Sequence, residues 1–424
     1  MQLTRRHLII TGAVSAAALA APAVLRAEEK LTVTISHGAP TYQALIAELS
    51  SQFALENPSM AVKFVADGDN WDPLLNSTLR ASVVGALPDG TWQSLTYARI
   101  LANRKIAQPV NQFIGNDIKN LQAMGLSKPM IEATTVGSNV YCLPYGTTIP
   151  IVYCNMDLLR KAGYSKPQPP STWDEIHQIG VKVAAMRGNI NGGYIEYSST
   201  NAWIFQNLLA SYGGRMMNEA QTAIAFDGGE GLQSLQTLFR FGDIGTTDMT
   251  IDQARQAFNA GVTAMHIRSA SGTTSVAKAT AGSFDLAVAQ FPLPGPNGRL
   301  VGAGHGFFMF AKDPAKQKVV WEFMKFATSS KGQLILAKNT GYIPTNLMAL
   351  DDRAFLDQYF KINPFHRSVV ERLAITGDQF SFPSDSTVKI VQMMANEMRN
   401  VVTHKAKPNE ALTRMVAQTR KMLG

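Results

Sequence analysis

Tyr141-Cys-Leu-Pro-Tyr-Gly-Thr-Thr-Ile-Pro-Ile-Val-Tyr-Cys-Asn155 is the stretch on which the fold turns. Pro144, Gly146 and Pro150 interrupt it before Ile151-Val152-Tyr153 resumes as an apolar strand, and such a passage suits a chain crossing between two lobes. Upstream, Leu31-Thr-Val33-Thr-Ile35 alternates as a strand. After a polar loop, Tyr42, Leu45, Ile46, Leu49 and Phe53 recur at helical spacing. Val62, Phe64 and Ala66 make a second strand. Asp72-Pro73 then caps and opens a helix through Leu75, Leu79 and Val83, stopped at Gly85, and a third strand follows from Thr91 to Leu95. This β-α-β-α-β order predicts an α/β architecture with a largely parallel sheet covered on both faces. Ligands are expected where strands end and helices begin.

Downstream, Thr172-Trp-Asp-Glu175 has the spacing at which two side chains cap a helix's first turn reciprocally, and Ile176, Ile179, Val183 and Met186 continue that helix. Ala254 to Asn259 reads as a helix ended by Gly261, Val262 to Ile267 as a strand, and Arg268-Ser-Ala-Ser-Gly272 as the polar loop after it. Leu286 to Ala289 is a further strand. Asp313-Pro314 opens a helix with Val320, Phe323, Met324 and Ala327 on one face. No internal repeat or low-complexity tract interrupts this order.

The 424 residues are 46% hydrophobic and 17% charged, enough to bury large cores in two or three domains and unlike a disordered chain or a disulfide-dense mini-protein. The 39 basic residues against 31 acidic ones give a formal charge of +8, but Arg5, Arg6 and Arg26 lie in an acid-free first 27 residues. The remaining 397 carry +5 with no basic block, which argues against nucleic acid as a partner. Arg5-Arg6 followed by an apolar run from Leu8 to Ala21 and a small residue at Ala27 reads as a cleaved twin-arginine-type signal peptide over 1–27. With no later span of 18 apolar residues and no leader cysteine, the expectation is a soluble periplasmic monomer. Cys142 and Cys154 complete no zinc pattern and are expected as buried free thiols in adjoining strands, with a disulfide in an oxidising compartment as the alternative. No metal or cofactor is implied.

Six further fragments carry a resemblance: Asn57-Pro58, Ala86-Leu-Pro88-Asp89, Pro144 to Asn155 with Asp157 to Gly163, Pro170 to Glu175, Phe258-Asn-Ala-Gly261 with Ala264-Met265, and Thr340-Gly-Tyr-Ile-Pro344. In this order they resemble the extracellular solute-binding proteins, family 1, that serve ABC importers of sugars. Trp71, Trp203, Gly302-Ala-Gly-His305 and Thr340-Gly-Tyr342 are most similar to the glycerol-3-phosphate-binding branch. The resemblance implies a two-lobed periplasmic-binding-protein fold of class II type, with three hinge crossings near Thr148, Ala287 and Tyr342. Residues 28–147 plus 287–341 would then form the N-terminal lobe and 148–286 plus 342–424 the C-terminal lobe. It also implies a carbohydrate or polyol ligand in the cleft and a membrane permease as partner.

A sugar presents C–H faces ringed by hydroxyls, so its site needs aromatic rings and short polar groups in loops at strand ends. Candidates are His37 and Thr41 after the first strand, Trp71 before a helix cap, and Gln93 and Ser94 at the end of the third strand. Tyr145, Gly146, Thr147 and Thr148 line the first crossing, Trp203 faces the cleft by resemblance, and Tyr342 stands at the last crossing. Arg268, Ser269 and Ser271 end another strand, and Gly304 and His305 interrupt one where the backbone can approach a solute. Each has a cap, turn or packing role as its alternative. Arg268 could meet a phosphate or carboxylate, or a salt-bridge partner on the rim. The branch's late arginine has no counterpart in Ser384-Asp-Ser-Thr-Val-Lys389, which leaves neutral sugars, glycosides and other acidic polyol derivatives open beside glycerol-3-phosphate. A periplasmic hydrolase is the enzyme alternative, but the nucleophile, zinc and nucleotide motifs are absent and no catalytic residue is assigned.

Overall fold

The computed structural model describes residues 30–38, 42–68, 70–115, 118–126, 128–186, 188–245, 248–384 and 386–424; the leader and Thr41 lie outside them. The chain opens with β1 (Leu31–His37), α1 (Gln43–Glu56), β2 (Met60–Ala66), α2 (Trp71–Val83) and β3 (Gly90–Ser94), in the expected order. Helix α1 buries Leu45, Ile46, Leu49 and Phe53, the positions its periodicity marks. The cap of α2 falls two residues early. Asn70 Oδ1 accepts the Trp71 N–H at 2.8 Å, because the Asp72 carboxylate is engaged by the Tyr97 hydroxyl.

After the hairpin β4 (Thr135–Val136) and β5 (Asn139–Val140) come β6 (Cys142–Thr148) and β7 (Pro150–Asn155), separated by Ile149. They are followed by β8 (Tyr194–Ile195), β9 (Met265–Ser269), β10 (Leu286–Gln290), β11 (Leu300–Met309), β12 (Ile343–Pro344) and β13 (Thr376–Asp378). One sheet has the order β12-β6-β11-β3-β1-β2, with β13 alongside β11; the other is β10-β7-β9-β8. Ile149 therefore joins two sheets, and the interrupted stretch is a crossing. Parallel pairing holds for β1 with β2 and β3, while β11 runs antiparallel to both β3 and β6. In the second sheet β7 lies antiparallel between β10 and β9, and only β8 with β9 is parallel. The sheets are thus more mixed than the opening β-α-β-α-β pattern predicts, since the strands that cross between them enter from the opposite end.

The second crossing moves. Ala287 pairs with Cys154 inside the second sheet, and Leu300 and Val301 still pack in its core, so the chain returns to the first sheet within β11 rather than at 287. Tyr342 packs in the first core and Ile343 pairs with Thr147, but the side chains of Ile343, Val369 and Phe382 pack in the second core. The helices Thr387–Val402 and Pro408–Leu423 add Met394, Met398 and Met415 to that core. Backbone pairing decides the shift at Ala287, because each extra strand residue gains a ladder hydrogen bond.

Each sheet has its own core. Val33, Ile35, Phe53, Trp92, Tyr145, Phe307 and Phe323 gather on the first, and Val152, Tyr153, Trp173, Phe205, Leu238 and Met398 on the second. Each such side chain contributes about 1.5–3 kcal/mol by leaving water. Cys142 and Cys154 are buried and free, on consecutive strands of different sheets, and burial pushes both thiols up. Thr172 caps its helix by accepting the Glu175 N–H at 3.2 Å. The reciprocal half of that cap is displaced by one residue. Glu175 takes Lys166 and the Ser171 N–H, which together hold its carboxyl down to about 2.

Candidate functional site

A cavity of about 370 Å³ lies at the strand ends of the first sheet. One wall is Leu95 and Thr96, just past β3, with Thr147 of β6 and Gly302 and Gly304 of β11. Gln221, Gln379, Phe380 and Ser381 form the facing wall, and Arg99 and Glu132 are its charged groups. The glycines keep it open. A Cβ on Gly304 would lie 2.6 Å from Leu95 Cδ1, and one on Gly302 3.1 Å from Thr376 Cγ2. Phe380 is held by its backbone: its N–H donates to Gln206 Oε1 at 2.9 Å, and Gln206 Nε2 donates to its carbonyl at 3.0 Å.

Beside this cavity, Asn201 and Ala202 adopt φ of 55° and 52°, left-handed conformations that cost about 1–3 kcal/mol each in residues other than glycine. They turn Thr200 toward Asn70 at 3.3 Å and Asn201 toward the Phe380 carbonyl.

Aromatic rings pack behind the first wall. Trp92 Nε1 donates to His305 Nδ1 at 2.6 Å. Trp71 stacks on the His305 ring at 5.7 Å, and Tyr342 meets its edge at 4.1 Å. Tyr42 touches Tyr342 at 5.8 Å, Tyr145 meets Trp92 at 6.1 Å, and His37 lies 6.4 Å from Trp92. Gly146 admits the His305 ring, since a Cβ there would be 2.8 Å from Nε2. Burial lowers His37 and pushes His305 down to about 3, so His305 is neutral. Acceptance at Nδ1 leaves its proton on Nε2. Among the described residues that Nε2 and Gln93 Nε2 are buried donors without a partner, while Gln93 Oε1 accepts the Ser94 N–H at 2.8 Å.

Across the waist, Thr148 Oγ1 meets Ser269 Oγ at 2.9 Å, Ser269 meets Ser271 Oγ at 2.7 Å, and the Ser271 N–H returns to Thr148 Oγ1 at 3.1 Å. These three hydroxyls bind one another. Arg268 sits at 7% exposure with Nε 3.5 Å from Glu196 Oε1, while Arg255 grips the same carboxylate with a fork at 3.0 and 3.2 Å. Burial alone would raise Glu196; Arg255, Arg268 and His266 overcome it and hold the carboxyl well below its usual range. Trp203 Nε1 donates to the Val301 carbonyl at 2.8 Å from within the second core.

Of the residues singled out from the sequence, Thr147 and Gly304 line the cavity. His37, Trp71, Tyr145, Gly146, His305 and Tyr342 gather in the aromatic group, with Gln93 and Ser94 at its edge. Thr148, Ser269 and Ser271 form the hydroxyl bridge, Arg268 the ion cluster, and Trp203 a core contact. Sequence reasoning missed Trp92, Thr96, Gln221, Phe380, Glu196, Arg255 and His266. Glu196 alone carried a signal, as a lone acid in the aromatic run Tyr194-Ile-Glu-Tyr197. The others are distant in sequence from what they meet.

Two helix-flanked sheets, joined by crossings and with a cavity at their strand ends, define the two-lobed class of binding proteins. The structure of UgpB from Mycobacterium tuberculosis in complex with glycerophosphocholine matches with a TM-score of 0.81 at 18% identity, over 92% of this chain and 98% of that one. Maltose-bound MalE3 of T. maritima matches at 0.78 and 18%, over 93% and 100%. The family model for bacterial extracellular solute-binding proteins matches residues 39–334, and the chain belongs to that family. The sn-glycerol-3-phosphate-binding periplasmic protein of Brucella melitensis is 28% identical over 235 residues, 52% of each chain, so this chain spans about half the length of that relative.

Proposed function

We propose that this protein captures a sugar, glycoside or related polyol between its lobes and delivers it to the membrane permease of an ABC importer. The observation that carries the reading is the lining of the 370 Å³ cavity. Thr96, Thr135, Thr147, Gln221, Gln379 and Ser381 supply neutral hydrogen-bonding groups, and Phe380 supplies a ring for a C–H face. The unpartnered Nε2 groups of Gln93 and His305 support a polar guest nearby. Family membership and the periplasmic name of the Brucella relative support an exported, periplasmic carrier that is not an enzyme. Among the described residues no helix is long and apolar enough to cross a membrane.

On this reading one lobe is built on residues 30–148 and 304–342 and the other on 150–301 and 369–424. A solute touching both walls lowers the free energy of the closed arrangement relative to the open one, and the closed form docks on the permease. A glycerol-3-phosphate or other anionic derivative is the second reading, favoured by Arg99 on the cavity wall and by the relative's name.

Thermal-shift screening with maltose, glycosides, glycerophosphocholine and glycerol-3-phosphate tests both, because a ligand of the folded state raises the melting point. Calorimetry on the best ligand should then show Phe380→Ala weakening it about tenfold. Unchanged affinity would remove the cavity from the binding role, and turnover of the ligand would reinstate an enzyme.

A further inference from the structure

A second cavity of about 270 Å³ adjoins the first, and Gln221 and Phe380 line both. Leu209, Met216, Met217 and Leu300 give it apolar sides. Its charged groups are Arg215, Arg299 and Glu219. Several arginines around the second core are matched to acids, Arg240 to Asp174, Arg255 to Glu196 and Arg420 to Asp227, while Arg372 is satisfied by the Phe291 carbonyl and Gln290 Oε1. Arg299 instead spends one N–H on the Gly214 carbonyl at 2.8 Å, and among the described residues no carboxylate pairs with it or with Arg215. Two like charges share the space with a single acid.

The backbone holds both cations there. Arg299 follows the 292–298 turn, which is pinned to the end of the helix Trp203–Ser211 by the Gly295 N–H to Ser211 O at 3.1 Å and the Arg299 N–H to Ala210 O at 3.1 Å. Arg215 leaves the same helix end, where the Gly214 N–H donates to Leu209 O at 2.9 Å. A Cβ on Gly298 would come 2.7 Å from Ser211 O, so the turn lies tight against that helix only with glycine. Burial and the neighbouring Arg215 both lower the Arg299 guanidinium, the signature of a cation short of a counter-charge.

We propose that this second cavity is an anion subsite of the cleft, in which Arg215 and Arg299 hold the phosphate, sulfate or carboxylate of a ligand whose hydroxylated part fills the first cavity. The shared Phe380 and Gln221 set the two spaces side by side, within reach of one extended guest, so the favoured class is an acidic glycoside or sugar phosphate longer than a monosaccharide. This rests on the cleft reading above but names a different pair of cations from Arg99. A half-buried guanidinium backed by a second one binds an oxyanion through charge-assisted, directional hydrogen bonds.

Inorganic phosphate titrated into the full chain at low salt, followed by ³¹P line broadening, tests it. The expected result is saturable broadening that weakens about tenfold in Arg299→Gln and about fivefold in Arg215→Gln, is restored in part by Arg215→Lys, and is unchanged in Arg99→Gln. Arg215 is exposed, so its substitution tests the subsite even if Arg299→Gln fails to fold. Absence of saturable broadening, its survival in the Arg215→Gln/Arg299→Gln double variant, or its loss in Arg99→Gln alone would overturn the proposal. A failed sugar screen with the phosphate response intact would sink only the carbohydrate reading.

Discussion

His305 on the first sheet and His266 on the second are both buried beside the cleft, yet their surroundings are opposites. His305 lies among Trp71, Trp92, Tyr145 and Tyr342, and burial alone pushes it down to about 3. His266 lies 3.3 Å from Glu196 Oε1, without the alignment of a hydrogen bond, in a cluster that also holds Arg255 and Arg268. There burial pushes the imidazole down to about 4, with Glu196 opposing the shift and the two arginines adding to it. The first sheet therefore keeps its polar group neutral inside an aromatic shell. The second keeps a carboxylate charged by surrounding it with cations. A lobe can rigidify its cleft face either way, but the ionic route fails badly when one partner is lost.

Removing that partner gives the largest expected effect. Glu196→Gln leaves two guanidinium groups facing each other at a mostly buried site and should cost about 3–5 kcal/mol in urea unfolding. A loss below about 1 kcal/mol would mean that solvent reaches the cluster and that the contrast between the sheets is false.

Acid comes next. His305, His266 and His366, the last also lowered by burial to about 4, are neutral when folded, whereas the unfolded chain titrates near 6.5. Below pH 6.5 the unfolded state binds more protons. The stabilisation is therefore complete above that pH and is lost progressively as pH falls toward about 4 to 3. Each histidine should take away about 2 kcal/mol between pH 7 and 5, above the range where carboxylates titrate. Melting temperatures that hold flat over this interval would refute the buried neutral state.

Trp92→Phe sharpens the aromatic side of the comparison. It preserves most of the ring packing but strips His305 Nδ1 of its donor, with an expected cost of about 1–3 kcal/mol and a raised His305 pKa readable by NMR. Trp203→Phe should do least, under about 1 kcal/mol, because the Val301 carbonyl keeps the Asn207 Nδ2 donor at 3.1 Å. A large loss of solute affinity in that variant would restore Trp203 to the cleft.

The elements were legible wherever local periodicity and caps decided them. Leu45 to Phe53 fall on one face of α1, and Asp313 caps the helix Pro314–Thr328 as its dipeptide predicts. The crossing at Thr148 to Pro150 was legible because Pro150 opens a new strand, although Pro144 and Gly146 lie inside β6 and do not end it. The second was not. Ala287 owes its place in the second sheet to β7, a partner no local pattern names.

The same division runs through the cleft. Thr147 and Gly304 line the cavity where strand ends and small residues mark them, but Phe380, Gln221 and Arg299 entered through turns whose neighbours lie far away in the chain. From its sequence alone this protein declared an α/β architecture, the first crossing and the family. Which polar groups face a cavity, which pair with one another and which are left without a counter-charge was decided by the packing of the two sheets. Hydrogen bonds and ion pairs act over a few ångströms, and only the folded chain brings their partners within that range.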